Sequence, residues 1–505
     1  MKKRAISMII LSAILAASVS CGGTAKETKV ETDTLSDTVT SDEGTTTDNP
    51  RYEIKEDLPE RDFDGYVFRI LVRPADLWGT DMYSESLNGE VVNDAVYNRN
   101  QKVSERFNVN FKQIKASESN VGQTSGGKEI LAGEDAYDLL LPHGQLAFQT
   151  FASQSMVLDF NSDLPYVDLD KPWWDQDARQ SFELNGKLYV MTGDISYLSL
   201  AETDCMLFNK KLFDDLNKEY PYELVKSGKW TFDEFKKFVE DGTKDLNGDG
   251  EYNPEDDQFG FTSNMYAMPV NVITTAGGRT VSKDESGYPV VTVFTERTDK
   301  AMNDYFKLFL SDNCYLERAR SQDGKSVTFD SRKLFSDGRA MLFSGILADV
   351  NDMRDMNADY GFLPVPKYDE TCEKYYTKVD AGNHMLCIPK TVSDTERTSI
   401  ILEALAAEGY RTVIPAYYEV ALQRKYTRDV ESSDMLDIIK EGRVFDIGYY
   451  FLGDSLSLVG YDMAKAGKNN FASICASKIP SVEAYIKKVM ETYGNNLECS
   501  PDLRK

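Results

Sequence analysis

Tyr66–Pro74 reads YVFRILVRP. β-branched and aromatic residues dominate it and Pro74 closes it, which predicts a strand opening a folded domain. The next seventy residues decide the kind of sheet. In EVVNDAVYNRNQKVSERFN (90–108), Val92, Val96 and Val103 recur at helical spacing with polar residues opposite, the pattern of an amphipathic helix. VNFKQI (109–114) reads as a second strand. A Gly/Ser-rich turn, a short helix around Ile130 and the apolar strand AYDLLLP (136–142) come next. Strand and helix alternating in this way predict a parallel sheet covered by helices. Ligands of such sheets bind beyond the carboxyl ends of the strands.

Outward from this block, the chain of 505 residues is too long for one compact core and suits two lobes from about Arg51 onward. A second lobe begins near GDISYLSLAETDCMLFNKKLFDDL (193–216). KWTFDEFKKFVEDGTKDL (229–246) predicts a helix, with Thr231 as N-cap, Glu234 completing a capping box, and Phe232, Phe235 and Phe238 or Val239 on the core face. PVVTVF (289–294) is strand-like, TDKAMNDYFKLFLSDN (298–313) is helical, and the C-terminal part is mostly helical. No internal repeat is visible.

The N-terminus, MKKRAISMIILSAILAASVSCGG, has a basic start and a short apolar run ending at Cys21, the pattern of an export signal. ASVSC resembles a bacterial lipobox, with Ser18 where that pattern prefers Leu, so Cys21 is the expected lipidation site; ordinary cleavage near Ser20 is the alternative. Residues 21–50 are rich in Thr, Ser, Asp and Glu and predict a disordered linker. Signal peptide 1–20 and linker 21–50 together imply a domain anchored to the outer face of the cytoplasmic membrane through an N-terminal lipid. The net charge of −26 argues against a nucleic-acid partner. The seven cysteines are scattered with no CxxC pair, which leaves a zinc site unsupported and predicts mostly buried thiols. Only two histidines are present, His143 and His384, too few for a His-rich metal enzyme.

KDLNGDGEYNPEDDQFGF (244–261) places Asp245, Asn247 and Asp249 at positions one, three and five of a calcium-type loop, with Gly250 at the turn. Glu251 offers a backbone carbonyl, and Asp256 stands at position twelve beside Asp257. Hard oxygens at this spacing predict structural Ca2+; an Asx-rich turn without metal is the alternative. GQTSGGKE (122–129) fits GxxxxGK but has Glu129 where a P-loop needs Ser or Thr, so it reads as a turn. Aromatic rings that could stack on sugar faces are Trp78, Trp173, Trp174, Tyr197, Tyr417 and Tyr418. Trp78 comes after the first strand, and at least one of Trp173 and Trp174 is expected in the core.

A run of pieces in fixed order resembles the extracellular solute-binding proteins of bacterial ABC importers, the group that includes maltose-binding protein. AGEDAYDLLLP (132–142) resembles an early strand element of that family, and ELNGKLYVMTGD (183–194) the strand before the first inter-lobe crossover. MLFNKKLFDDL (206–216), WTFDEFKKF (230–238), FSDGRAMLFSG (335–345), YGFLPVPK (360–367) and DAGNHMLCIPK (380–390) resemble later ones. The resemblance implies an α/β, two-lobed periplasmic-binding-protein-like fold (type II), with lobes joined by hinge crossovers. It implies an N-terminal lobe of 51–195 plus 338–378 and a C-terminal lobe of 196–337 plus 379–505. It also implies that Asp194, Tyr197, Asp380 and Asn383 face the cleft, beside the aromatics Trp78, Trp174 and Tyr417. The function it implies is capture of a carbohydrate, an oligosaccharide by the size of the folded part. The solute would pass to membrane permease subunits of an ABC transporter, with no chemistry on the binding protein, which works as a monomer. A surface-anchored glycan hydrolase and a glycan-sensing or adhesion module are the alternatives. They are separated by product formation and by a permease partner.

Overall fold

The structure is a computed structural model that describes residues 50–74, 80–117, 126–317, 329–353, 356–426, 429–452 and 456–494. Cys21, the signal peptide, the linker up to residue 49, Trp78 and positions 122–125 lie outside the described residues.

The first sheet is parallel and is built from the predicted pieces. β1 (Tyr66–Val72) lies between β2 (Val109–Lys115) and β3 (Leu139–Leu141), with Tyr66 opposite Val109 and Ile70 opposite Leu139. α1 (Val91–Phe107) crosses from β1 to β2 and buries Val96, Val103 and Phe107. Asn108 closes α1 in the left-handed region, φ 50°, where Asn is tolerated. α2 (Gln176–Phe182) is capped by Asp175, whose side chain accepts the Ala178 N–H.

The chain crosses to the second sheet through α3 (Leu198–Ala201) and enters β4 (Asp204–Asn209). α4 (Phe232–Gly242) buries Phe232, Phe235 and Val239, as its periodicity predicts. Thr231 is its N-cap residue but makes no side-chain cap bond, and Glu234 pairs instead with Lys237 at 2.6 Å. β5 (Phe259–Asn264) leads into the wholly buried α5 (Met268–Thr275). β6 (Cys314–Glu317), β7 (Ala340–Ile346) and β8 (Tyr360–Leu363) complete a mixed sheet in the order β8-β4-β7-β5-β6. β4 pairs antiparallel with both β8 and β7, and β5 runs parallel to β7 and β6.

That order corrects the expected division of 338–378. β7 sits between β4 and β5 and is buried on both faces, so its segment belongs to the second sheet, not the first. The chain returns after β9 (Thr377–Lys378). Cys387 then bridges to Leu140 of β3, and Leu386 to Met191. α6 (Thr395–Glu408) packs on α1 and continues into π-helical turns at Gly409–Val413 and Ala416–Tyr426. Residues 384–426 therefore cover the first sheet, where the expected division placed them in the second lobe.

α7 (Val430–Glu441) packs against β8, and β10 (Arg443–Val444) pairs with β9. The short α8 (Ile447–Phe451) is fully buried, with Phe451 4.2 Å from the Phe148 ring and Tyr450 5.0 Å from that of Phe182. α9 (Val459–Ala466) and α10 (Phe471–Thr492) close the C-terminal part, and α9 packs on α5. Cys205, Cys314, Cys372, Cys387 and Cys475 are free and buried. Among the described residues no helix is long and apolar enough to cross a membrane.

Candidate functional site

The carboxyl ends of β1 and β3 each deliver a polar side chain to the place where the chain crosses between sheets. Arg73 comes directly after β1, is 4% exposed, and donates from Nη1 to the Gly382 carbonyl at 2.8 Å. His143 comes after Pro142 at the end of β3. The two crossovers run side by side: Thr203 bridges to Val379, and the Asp380 N–H donates to the Glu202 carbonyl at 2.8 Å. A Cβ on Gly382 would lie 2.7 Å from the Glu202 carboxylate and would push that side chain aside.

Lys378 ties the crossovers together. Its Nζ lies 2.7 Å from Asp380 Oδ2 and 3.4 Å from Asp204 Oδ2, and the Tyr449 hydroxyl donates to Asp380 Oδ2 at 2.6 Å. Burial pushes the Asp380 carboxyl up, but the Lys378 ammonium, the Tyr449 hydroxyl and the Gly382 N–H overcome it and hold the group at about 2. Asp204, deeper and less well paired, is pushed up to about 7 by burial. Burial lowers Arg73 to about 10 and His143 to about 4, where the Arg73 guanidinium adds to the effect. At neutral pH the floor of the site thus holds Arg73 and Lys378 charged, Asp380 ionised and His143 neutral.

Beside this floor, Tyr197 at the start of the first crossover stacks on Tyr417 of the π-helical turn, with centroids 4.7 Å apart and planes at 22°. A cavity of about 160 Å³ opens at the pair, lined by Val92 and Leu198 on one side and by Ala348 and Val350 on the other. Val92 lies on α1, which covers the first sheet, and Leu198 on α3, while Ala348 and Val350 come after β7 of the second sheet. A second stacked pair, Tyr266 on Tyr461 at 4.4 Å and 22°, stands just past the carboxyl end of β5. Tyr266 is 44% exposed, and Asn264 Oδ1 fixes its backbone by accepting the N–H groups of Tyr266 and Ala267. Tyr197 and Tyr417 are 9% and 7% exposed, so the first pair forms a buried wall of its cavity, while Tyr266 offers an exposed ring just past a strand end.

Of the residues expected from sequence, Tyr197 and Tyr417 come together at the cavity, and Asp380 joins the charged floor. Asn383 is fully buried and donates to the Tyr450 hydroxyl at 3.0 Å, behind the cavity rather than in it. Asp194 donates its N–H to the Trp173 carbonyl, and burial raises its carboxyl to about 7 against the pull of Lys440 on α7. Trp174 is a correction. It is 1% exposed, and its indole N–H and that of Trp173 donate to the two oxygens of Glu403, at 2.9 and 3.0 Å. Both tryptophans are core anchors for α6. The Tyr418 hydroxyl donates to Asp437 at 2.9 Å. Arg73, His143, Glu202, Lys378, Tyr266 and Tyr461 are not marked out by the sequence patterns. The first two are legible in principle as the residues just past the ends of parallel strands.

In the loop 244–258, Asp245 accepts the N–H groups of Gly248 and Gly250, Asn247 that of Asp249, and Asp249 that of Glu251. Asp257, not Asp256, closes the loop by accepting from Leu246 and Asn253. Among the described residues no group of three or more His, Cys, Asp and Glu side chains gathers as metal ligands. Asp245, Asn247 and Asp249 keep oxygen donors on one short turn, and Asp256 donates its N–H to the Asn253 carbonyl.

No family model matches the chain, and no curated protein matches it. Solved structures do. UgpB from Mycobacterium tuberculosis, in complex with glycerophosphocholine, is 15% identical with a TM-score of 0.54, over 85% of this chain and 99% of that one. A cyclo/maltodextrin-binding protein complexed with maltotetraose is 13% identical with a TM-score of 0.52, over 86% and 98%. The maltose/maltodextrin-binding domain MalE from Bdellovibrio bacteriovorus, bound to maltotriose, is 15% identical with a TM-score of 0.51, over 85% and 100%. The fold is that of the two-lobed solute-binding proteins. It spans nearly the whole length of each neighbour, so the shared architecture includes both lobes and the crossovers between them.

Proposed function

We propose that this chain is the substrate-binding protein of an ABC importer, capturing a carbohydrate between its lobes and passing it to a membrane permease. The observation that carries the reading is the pairing of aromatic platforms, Tyr197–Tyr417 and Tyr266–Tyr461, with hydrogen-bonding groups at the strand ends of both sheets. Sugar rings stack their apolar faces on aromatic rings and give their hydroxyls to polar partners. Two platforms suit an oligosaccharide better than a single ring, and two of the solved neighbours carry maltooligosaccharides. Lipid attachment at Cys21 and placement on the outer face of the cytoplasmic membrane are part of the proposal and rest on the N-terminal sequence. So does a bracing Ca2+ at Asp245, Asn247, Asp249 and the Glu251 carbonyl, which rests on their spacing.

The protein performs no chemistry in this reading. A glycan hydrolase needs a protonated carboxyl beside its scissile bond. Among the raised carboxyls, Asp204 is 1% exposed and pairs with Lys378, and Asp349, between the cavity-lining Ala348 and Val350, accepts the Ile346 N–H. The test is thermal unfolding of the mature chain against a glycan panel, with each glycan recovered and weighed by mass spectrometry afterwards. A saturable rise in midpoint with intact glycan supports the reading, since a ligand of the folded state must stabilise it. A rise only with glycerophosphodiesters would reassign the solute, and cleaved glycan would replace the receptor by an enzyme.

A further inference from the structure

Behind the Tyr197–Tyr417 stack lies a polar knot that the floor of the site does not use. Three segments meet there: residues 80–82 after β1, residues 195–197 of the first crossover, and His384 of the return. Asp81 is completely buried, and its Oδ2 accepts from the Ser196 hydroxyl and pairs with His384 Nδ1 at 3.0 Å. The neighbouring residues repeat the pairing, since the hydroxyls of Thr80 and Tyr197 lie 3.1 Å apart. Ser196 Oγ also accepts the Leu198 N–H at 3.2 Å and so holds the first turn of α3. From α1, Arg99 donates to the carbonyls of Ile195, Asp81 and Met82, and Asn100 donates to that of Met82.

We propose that Asp81 is a positioning residue for ligand capture: bound to Ser196 and His384, it fixes the crossover so that the Tyr197 ring stands against Tyr417 at the cavity wall. The inference rests on the reading of that cavity as a ligand site. A buried carboxylate is a weak source of stability even when hydrogen-bonded, because desolvation offsets the attraction of its partners. Its worth lies in register, and here it joins the segments that carry a cavity-lining ring. Among the described residues Asp81 Oδ1 and His384 Nε2 make no hydrogen bond. The burial cost on the Asp81 carboxyl is overcome by His384, Ser196 and Arg99, which hold it below the usual carboxylate range.

The experiment compares the mature wild type with Asp81→Asn, Tyr197→Ala and the double variant. Titration calorimetry uses maltotriose as the probe, and hydrogen exchange is measured without ligand. Asp81→Asn keeps the shape and the Ser196 bond but removes the charge that holds His384. The expected result is affinity weakened roughly tenfold in Asp81→Asn, with the double variant within about twofold of Tyr197→Ala, the non-additivity of two residues acting as one unit. Multiplying effects, or unchanged affinity with a lowered melting midpoint, would overturn the proposal and leave Asp81 a core residue. Exchange decides independently of any sugar: amides 195–198 must exchange roughly tenfold faster in Asp81→Asn while β1 and α6 keep their protection. If maltotriose fails to bind the wild type, the functional reading loses support while the exchange result still stands. Protection unchanged at 195–198 overturns the positioning role in either case.

Discussion

Replacing Lys378 by Met removes a buried cation that pairs with Asp204, where the first crossover enters β4, and with Asp380 of the return. The Lys378 side chain is 3% exposed, and its partners Asp204 and Asp380 are 1% and 21% exposed. Asp204 already sits at about 7 and can take up a proton when its partner is lost. Asp380 cannot do so cheaply at neutral pH, because it keeps the Tyr449 hydroxyl and the Gly382 N–H as donors to its charged form. Its fall to about 2 from an ordinary carboxylate value represents about 2–3 kcal/mol. Breaking a buried pair typically costs about 3–5 kcal/mol, so Lys378→Met is expected to lose about 3 kcal/mol in urea unfolding at pH 7. The pH dependence has a definite sign. A carboxyl with a depressed folded value contributes stability above its unfolded value near 4, and that contribution disappears as pH falls toward 2. The gap between wild type and variant must therefore narrow below about pH 4. Adding Asp380→Asn to Lys378→Met should recover part of the loss. A variant within about 1 kcal/mol of wild type at pH 7, or a gap that widens in acid, would mean that Lys378 does not stabilise the charged Asp380.

Burial pushes Asp194, Asp204 and Glu403 up to about 7, and Asp349 to about 6. Between about pH 4 and 7 the folded chain holds protons that the unfolded chain has released, so their contribution makes stability fall as pH rises across that window; urea midpoints at pH 5 and pH 7.5 check the direction. Removing calcium with a chelator should lower the melting midpoint by a few degrees, since saturating a site at about 100 times its Kd adds about 2.7 kcal/mol. An unchanged midpoint would mean that the Asx turns and Asp257 close the 244–258 loop alone.

The sequence carries the fold through local signals: the alternation of strand and helix over 66–142, and the order of short fragments after it. It does not carry strand pairing. Whether β7 joins β3 or β4 depends on contacts between residues far apart in the chain, and so the fragment order alone puts 338–378 in the wrong lobe. Tyr197 and Tyr417 are legible as aromatics available for stacking, yet nothing local says that they meet. Trp174 shows the reverse problem. An indole in a polar stretch looks exposed until its partner is known, and Glu403 lies more than two hundred residues away. Arg73 and His143 need only the rule that α/β sheets act at their strand ends, applied to one residue after β1 and two after β3. Tyr266 obeys the same rule in the second sheet, where β5 is legible only as a strand after an acidic loop.

The most direct test of ligand capture between the sheets is calorimetric titration of a panel-selected oligosaccharide into the mature wild type, Tyr197→Ala and Tyr266→Ala. The prediction is one saturable site per chain, roughly tenfold or more weaker in both variants, with the sugar recovered intact. Full affinity in either variant, or cleaved sugar, would contradict it.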